Sequence, residues 1–194
     1  MKPNKIKICG ITDLSIANFC IDNDADYLGF VSYEHSPRNI SLHDSKDIIS
    51  KLSKPIDTVA VTVNANINDI KEIEDSGFNY IQLHGSEDLS YLGAIKKNTQ
   101  LKIIKAFGIS TQADFNNVND YSDLCDYFLL DAKPEETEMP GGNAKKFDWS
   151  LLGGQNLKKE FFLSGGLNID NLEIALKNNI TSFFDVSSSV ESSP

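Results

Sequence analysis

Three cysteines, Cys9, Cys20 and Cys125, are all that the 194 residues contain. Their number is odd and no C-x-x-C pair occurs, which argues against a disulfide framework and against a structural zinc site. Long apolar runs are missing too. None is long enough to span a bilayer, and the N-terminus, MKPNKIKICG, lacks the apolar stretch of a signal peptide. The expectation is a cytoplasmic chain without membrane contact. Positive charge is scarce: 18 Lys and Arg against 28 Asp and Glu give a net charge of −10. That balance makes nucleic acid an unsuitable partner, and it requires any anionic substrate to be held by a local positive site against the global field. Neither a Gly-rich dinucleotide fingerprint nor a cluster of metal-ligand spacing is present, so neither cofactor nor metal is expected. Linkers and low-complexity segments are also lacking, which assigns residues 1–194 to one domain.

What is present is an alternation. Strand-like runs occur at Lys5–Cys9, Tyr27–Val31, Thr58–Val63, Tyr80–Leu83, Leu101–Ala106, Tyr127–Leu130, Phe161–Leu163 and Ser182–Val186. Most are short and uninterrupted, as strands buried on both faces are. Helix-like segments stand between most of them: one from Leu14 behind the cap residue Asp13, then Asp44–Leu52, Asn68–Ser76, Asp88–Lys97 and Asp170–Asn178. Ser110–Asp123 is polar and gives only a weak helix. Ala132–Lys146 reads as a long loop ahead of a short turn at Trp149–Leu152. Eight strands alternating with helices predict a (β/α)8 TIM barrel, with a doubly wound open sheet as the alternative. An eighth helix is apparently absent, because the sequence ends at ESSP just after the eighth strand.

In such a barrel chemistry sits at the C-terminal ends of the strands. Strand by strand, those ends offer Cys9, then Arg38 in EHSPRNIS, His84 in QLHG, Asp131 in FLLDAK, Gly165 and Gly166 in LSGGL, and Ser187, Ser188 and Ser189 in DVSSSVE. Taken singly each has a plain reading: a buried thiol, a solvated arginine, a structural histidine, a capping aspartate. The glycine pair and the serines belong to the last two βα loops, where this fold binds phosphate, so a phosphorylated small molecule is the expected ligand. A thiol and a carboxyl at the two sides of a barrel mouth suit removal of one proton and delivery of another, the chemistry of isomerisation.

KICGIT, SPR, QLHG, FLLD, GGNAKKFDW, SGGL and DVSSSVE stand in the order and spacing of one family. The chain resembles phosphoribosylanthranilate isomerase, which rearranges N-(5-phosphoribosyl)anthranilate to 1-(2-carboxyphenylamino)-1-deoxyribulose 5-phosphate in tryptophan biosynthesis. The resemblance implies Cys9 as general base and Asp131 as general acid, without a cofactor. It implies Arg38, His84 and Asp185 as substrate-binding residues, with Arg38 on the anthranilate carboxylate. Gly165, Gly166, Ser188 and Ser189 would surround the phosphate. Strand alternation points Lys7 inward one layer below Cys9, where it is expected to pair with Asp185 and to favour the thiolate.

Two departures bear on the site. The family has glycine where Ser189 stands; a left-handed backbone there would cost serine about 1–2 kcal/mol. It reads GGTG where this chain has GGNA, at Asn143 and Ala144. Without an eighth helix, Ile6, Ile8, Phe184 and Val186 would face outward uncovered, unless a monomer folds its own termini over them or a homodimer partner covers them. The rival readings are another phosphosugar isomerase, a non-catalytic phosphosugar-binding barrel, and a barrel fragment completed by a partner.

Overall fold

The computed structural model describes residues 3–133, 147–178 and 180–191. Its strands are β1 (Lys5–Cys9), β2 (Tyr27–Ser32), β3 (Asp57–Thr62), β4 (Tyr80–Leu83), β5 (Lys102–Ile109), β6 (Tyr127–Ala132), β7 (Phe161–Leu163) and β8 (Phe183–Val186). All pairs are parallel, and β8 pairs back onto β1, so the sheet closes into an eight-stranded barrel. The open sheet is thereby excluded. Among the described residues, five α-helices lie between strands: α1 (Leu14–Asp22), α2 (Leu42–Ser50), α3 (Ile70–Asp75), α4 (Leu89–Asn98) and α5 (Ile169–Lys177).

Local chemistry sets the ends of these elements. Asp13 accepts the Ser15 and Ile16 N–H groups at the start of α1, and Asp88 and Asn168 cap α4 and α5 in the same way. The second helix begins earlier than its first aspartate, because the Ser41 hydroxyl takes the Asp44 N–H. The expected weak helix over 110–123 is instead two 3-10 turns, Gln112–Phe115 and Val118–Tyr121. Phe115 and Val118 are the buried apolar residues of that stretch, too few to anchor a helix. β5 runs three residues past its expected end, since Phe107, Gly108 and Ile109 continue the ladder with Leu130, Asp131 and Ala132.

Alternation along the strands makes two cores. Outward residues join the helices in a large apolar cluster that includes Leu28, Ile81, Ile103, Phe128 and Leu163. Inward residues fill the barrel, with Tyr27, Val59, Val61, Tyr80, Ile104, Ala106, Leu129, Phe162 and Phe183 packed together. At the N-terminal end of the barrel the rings meet edge to face, Tyr27 to Phe162 at 5.3 Å and Phe162 to Phe183 at 5.2 Å between centroids. This filled floor leaves the opposite rim for polar groups.

The seam between β1 and β8 is better covered than the sequence suggests. Ile6 is 36% exposed, but Phe184 is only 2% exposed, and Ile8 and Val186 are partly buried. Phe184 joins the outer cluster that also holds Ala17 of α1 and Ala175 of α5. After β8 the described chain makes one 3-10 turn, Ser188–Val190.

Candidate active site

Every strand end named above is brought to the same rim, and the inward set on β1 and β8 forms its deepest part. Lys7 is fully buried, and its ammonium donates to Asp185 Oδ1 at 2.7 Å. The register pairs these two residues directly across β1 and β8. The other oxygen of Asp185 accepts from Ser164 Oγ at 3.3 Å. Cys9 stands one layer above Lys7. Both side chains crowd the face of Gly29, where an added Cβ would meet Cys9 Sγ at 2.9 Å and Lys7 Nζ at 3.1 Å. Gly29 is thus a site residue that sequence reading missed. Its signal was a glycine inside an otherwise apolar buried strand, a place where something approaches closely.

Burial pushes the Cys9 thiol up, and the Asp185 carboxylate adds to this; the Lys7 and Arg38 charges pull the other way without reversing it. The expectation that Lys7 favours the thiolate therefore holds for the sign of its own effect but not for the balance. Burial also opposes the Lys7 charge, yet Asp185 and Cys9 together hold its titration above the ordinary lysine range. The floor of the site is the Lys7–Asp185 ion pair, with the Cys9 thiol one layer above it.

Asp131, at the end of β6, is 6% exposed. Its Oδ1 accepts from the Ala132 N–H at 2.8 Å. Its Oδ2 lies 3.3 Å from His84 Nε2. The His84 Nδ1 in turn lies 2.9 Å from Gln82 Nε2. Thus His84 and Asp131 come together, across β5, from the ends of β4 and β6.

Arg38 is the sole arginine of the sequence. It lies over Gly10, whose φ of +97° and missing side chain give it room: an added Cβ would meet Arg38 Cδ at 2.6 Å. Arg38 Nε and Nη2 donate to the two oxygens of Glu191 at 2.6 and 2.8 Å. Ser187 Oγ also donates to Glu191, at 3.0 Å. Glu191 was not singled out from sequence, because nothing in DVSSSVE says which distant cation its carboxylate will meet.

The expected phosphate cradle is assembled in part by backbone shape. Gly165 and Gly166 have φ of +79° and +65°. The Gly166 carbonyl accepts from Asn171 Nδ2 at 2.8 Å, which ties the turn to the first turn of α5. Ser189 lies in the 3-10 turn after β8, and it is not among the described non-glycine residues with positive φ. The left-handed strain considered for it is therefore absent. Asn143 and Ala144 lie outside the described residues. Among the described residues, no group of three or more His, Cys, Asp or Glu could hold a metal ion.

Comparison with known proteins agrees with this geometry. Residues 6–193 match the family model described as N-(5'-phosphoribosyl)anthranilate (PRA) isomerase. A protein of that name from Rhizobium etli (strain CIAT 652) is 39% identical over 200 residues, covering all of this chain and 88% of the relative. One from Petrotoga mobilis is 38% identical, covering 98% of this chain and 89% of the relative. The crystal structure of phosphoribosyl anthranilate isomerase from Thermotoga maritima superposes with a TM-score of 0.87 at 35% identity, covering 98% of this chain and 91% of the other. A second structure, at TM-score 0.84 and 34% identity over 98% and 90% of the two chains, holds reduced 1-(o-carboxyphenylamino)-1-deoxyribulose 5-phosphate. The chain belongs to the N-(5'-phosphoribosyl)anthranilate isomerase family.

Proposed function

We propose that this chain carries out its family's reaction, the isomerisation of N-(5-phosphoribosyl)anthranilate in tryptophan biosynthesis, with Cys9 and Asp131 as the proton-transferring pair. The observation that carries the reading is the placement of these two groups. Both are inward at the C-terminal rim of a closed barrel, on β1 and β6, in a chain of this family. Asp131 gives its proton to the furanose ring oxygen; the C1–O bond breaks and the ring opens to an iminium. That cation acidifies the C2 proton. Cys9, as thiolate, removes it, and the electron pair moves to nitrogen, giving an enolamine. A proton is added at C1 as the enol hydroxyl on C2 gives up its own, which completes the ketone. The substrate's own nitrogen serves as electron sink, and each positioned acid or base supplies roughly 10²–10⁴-fold.

The remaining residues bind and orient. Arg38 uses the guanidinium edge that Glu191 leaves open to hold the anthranilate carboxylate. His84 and Asp185 border the sugar. Asp185 can do so while paired, since a carboxylate accepts more than the two bonds it makes here. Gly165, Gly166, Ser188 and Ser189 take the phosphate with backbone N–H groups and hydroxyls. The partner of the chain is this phosphorylated small molecule, in the cytoplasm, with the protein as one domain in a monomer or homodimer. One structure of the Thermotoga maritima relative is of monomers generated from a dimeric enzyme, and sedimentation of this chain distinguishes the two states.

The test is complementation of a tryptophan auxotroph lacking this isomerase, together with the decay of substrate fluorescence in vitro. Growth and turnover that disappear in Cys9→Ala and in Asp131→Asn support the reading. Binding of a product analogue without any turnover would select the non-catalytic phosphosugar-binding barrel instead.

A further inference from the structure

Gln82 is the second inward residue of β4, after Tyr80, and it is 1% exposed inside the barrel. Burying a primary amide costs free energy unless its groups are bonded, and native structures bond nearly all of them. Yet Gln82 Oε1 has no partner. Among the described residues, the amide's one contact is from Nε2 to His84 Nδ1, at 2.9 Å. A residue kept only for packing has no reason to spend its donor on a rim histidine and leave its acceptor empty.

An amide nitrogen only donates. His84 Nδ1 must therefore accept, and the ring proton sits on Nε2. That nitrogen lies 3.3 Å from Asp131 Oδ2, within ion-pair distance but not aligned as a hydrogen bond, so a small rotation of the ring would complete the bond. The opposite amide orientation would place Oε1 on Nδ1 and draw the ring proton there. Nε2 would then present its lone pair to the Asp131 carboxylate. The carboxylate, the ring and the amide thus select one another's orientation. We propose that Gln82 is a positioning residue of the active site: its amide fixes the tautomer of His84, which delivers an N–H to Asp131. This rests on the reading of Asp131 as the general acid. In that role the residue ends its step as a carboxylate, and both of its oxygens then have a donor waiting, the Ala132 N–H and the His84 ring.

A second group of buried residues holds the backbone on either side of the ring. Lys105 is 3% exposed, and its ammonium donates to the Leu83 and Gly85 carbonyls at 3.2 and 2.7 Å, the two carbonyls on either side of His84. Its charge is met by Glu87 Oε2 at 2.9 Å, and Glu87 also accepts the Gly85 N–H. An ion pair buried behind one histidine fixes its backbone, while Gln82 fixes its ring.

The test combines a tautomer measurement with kinetics on the full chain. Nitrogen-15 NMR of histidine-labelled protein, with the His84 signals assigned through His84→Asn, reads protonation at each ring nitrogen without requiring turnover. Wild type is expected to show a protonated Nε2 and a bare Nδ1. Gln82→Met keeps the volume and removes the amide; the ring should then populate both tautomers, with kcat for N-(5-phosphoribosyl)anthranilate falling roughly tenfold or more and KM within about threefold. Gln82→Glu offers an acceptor alone and should move the proton to Nδ1, with a larger loss of kcat, as acid–base sites held in the wrong tautomer show. A protonated Nδ1 in wild type overturns the proposal whatever the variants do. So does a Gln82→Met protein that folds, by its near-ultraviolet dichroism, and keeps wild-type kcat. Full turnover in Asp131→Asn would instead sink the general-acid reading, while the tautomer result would stand on its own.

Discussion

At the scale of single residues, the site joins groups whose positions along the strands were legible to groups whose partners were not. Cys9, Asp131 and His84 end apolar runs, and the end of a barrel strand is where chemistry collects. Gly29 and Glu191 matter through side chains 20 to 153 positions away, which only the folded barrel brings near; Gln82 matters through His84, whose own partner Asp131 lies two strands on. The pH dependence follows from Cys9. Burial holds its thiol above the ordinary range, so the fraction present as thiolate rises with pH across neutrality and beyond. The expected kcat/KM therefore climbs from about pH 7 to about pH 9, and a flat profile there would exclude a buried thiol as the base. Cys9→Ser keeps the shape but makes the group a far weaker acid, so turnover should fall by roughly 10²-fold or more. Glu191 permits a sharper distinction at Arg38. If it holds the guanidinium so that the free edge meets the substrate, Glu191→Gln should raise KM on the order of tenfold with kcat nearly unchanged. A fall in KM would mean that Glu191 competes with the substrate carboxylate for the same edge.

At the scale of elements, the strands were legible because the apolar runs admit little else, and the turn expected at Trp149–Leu152 is there, whereas the connection after β5 was not legible. Residues 110–123 carry too few apolar anchors to declare a period, and Asp114 gathers the Ser110 and Thr111 N–H groups into a tight turn that stops a helix from starting. The turns after β7 and β8 are the informative ones for function. Gly166 has φ of +65°, so Gly166→Ala should cost about 1–2 kcal/mol of stability. The same change sets a methyl group in the expected phosphate cradle, and inorganic phosphate should inhibit the variant several-fold less well. Ser189 is the control. Its backbone carries no left-handed strain, so Ser189→Gly should leave the melting temperature close to wild type, while loss of the hydroxyl should weaken phosphate inhibition modestly. Much tighter phosphate binding in that variant would show that the hydroxyl crowds the anion.

At the scale of the molecule, stability and chemistry occupy opposite ends of one barrel. The N-terminal floor is aromatic: Tyr27, Tyr80, Tyr127, Phe162 and Phe183 pack at centroid distances of 5.2–6.3 Å. Burial pushes the Tyr27 hydroxyl well above the usual tyrosine range. The C-terminal rim is polar, and its ion pair Lys7–Asp185 spans the β1–β8 junction that closes the sheet. Sequence could announce the closed architecture through its alternation, but not this division of labour, because inward and outward residues are equally apolar in strands buried on both faces. Phe162 tests the division. It is fully buried and touches the rings of Tyr27, Tyr127 and Phe183. Phe162→Ala should cost about 3–5 kcal/mol. At about 2–4 °C per kcal/mol for a chain of this size, the melting temperature should drop on the order of 10 °C. Because the floor makes no contact with substrate, kcat per folded molecule should stay within about twofold of wild type below the transition, measured against active sites titrated with a product analogue. A proportionate loss of kcat at a temperature where the protein is fully folded would show that the floor sets the geometry of the rim, and that the two ends of the barrel do not act independently.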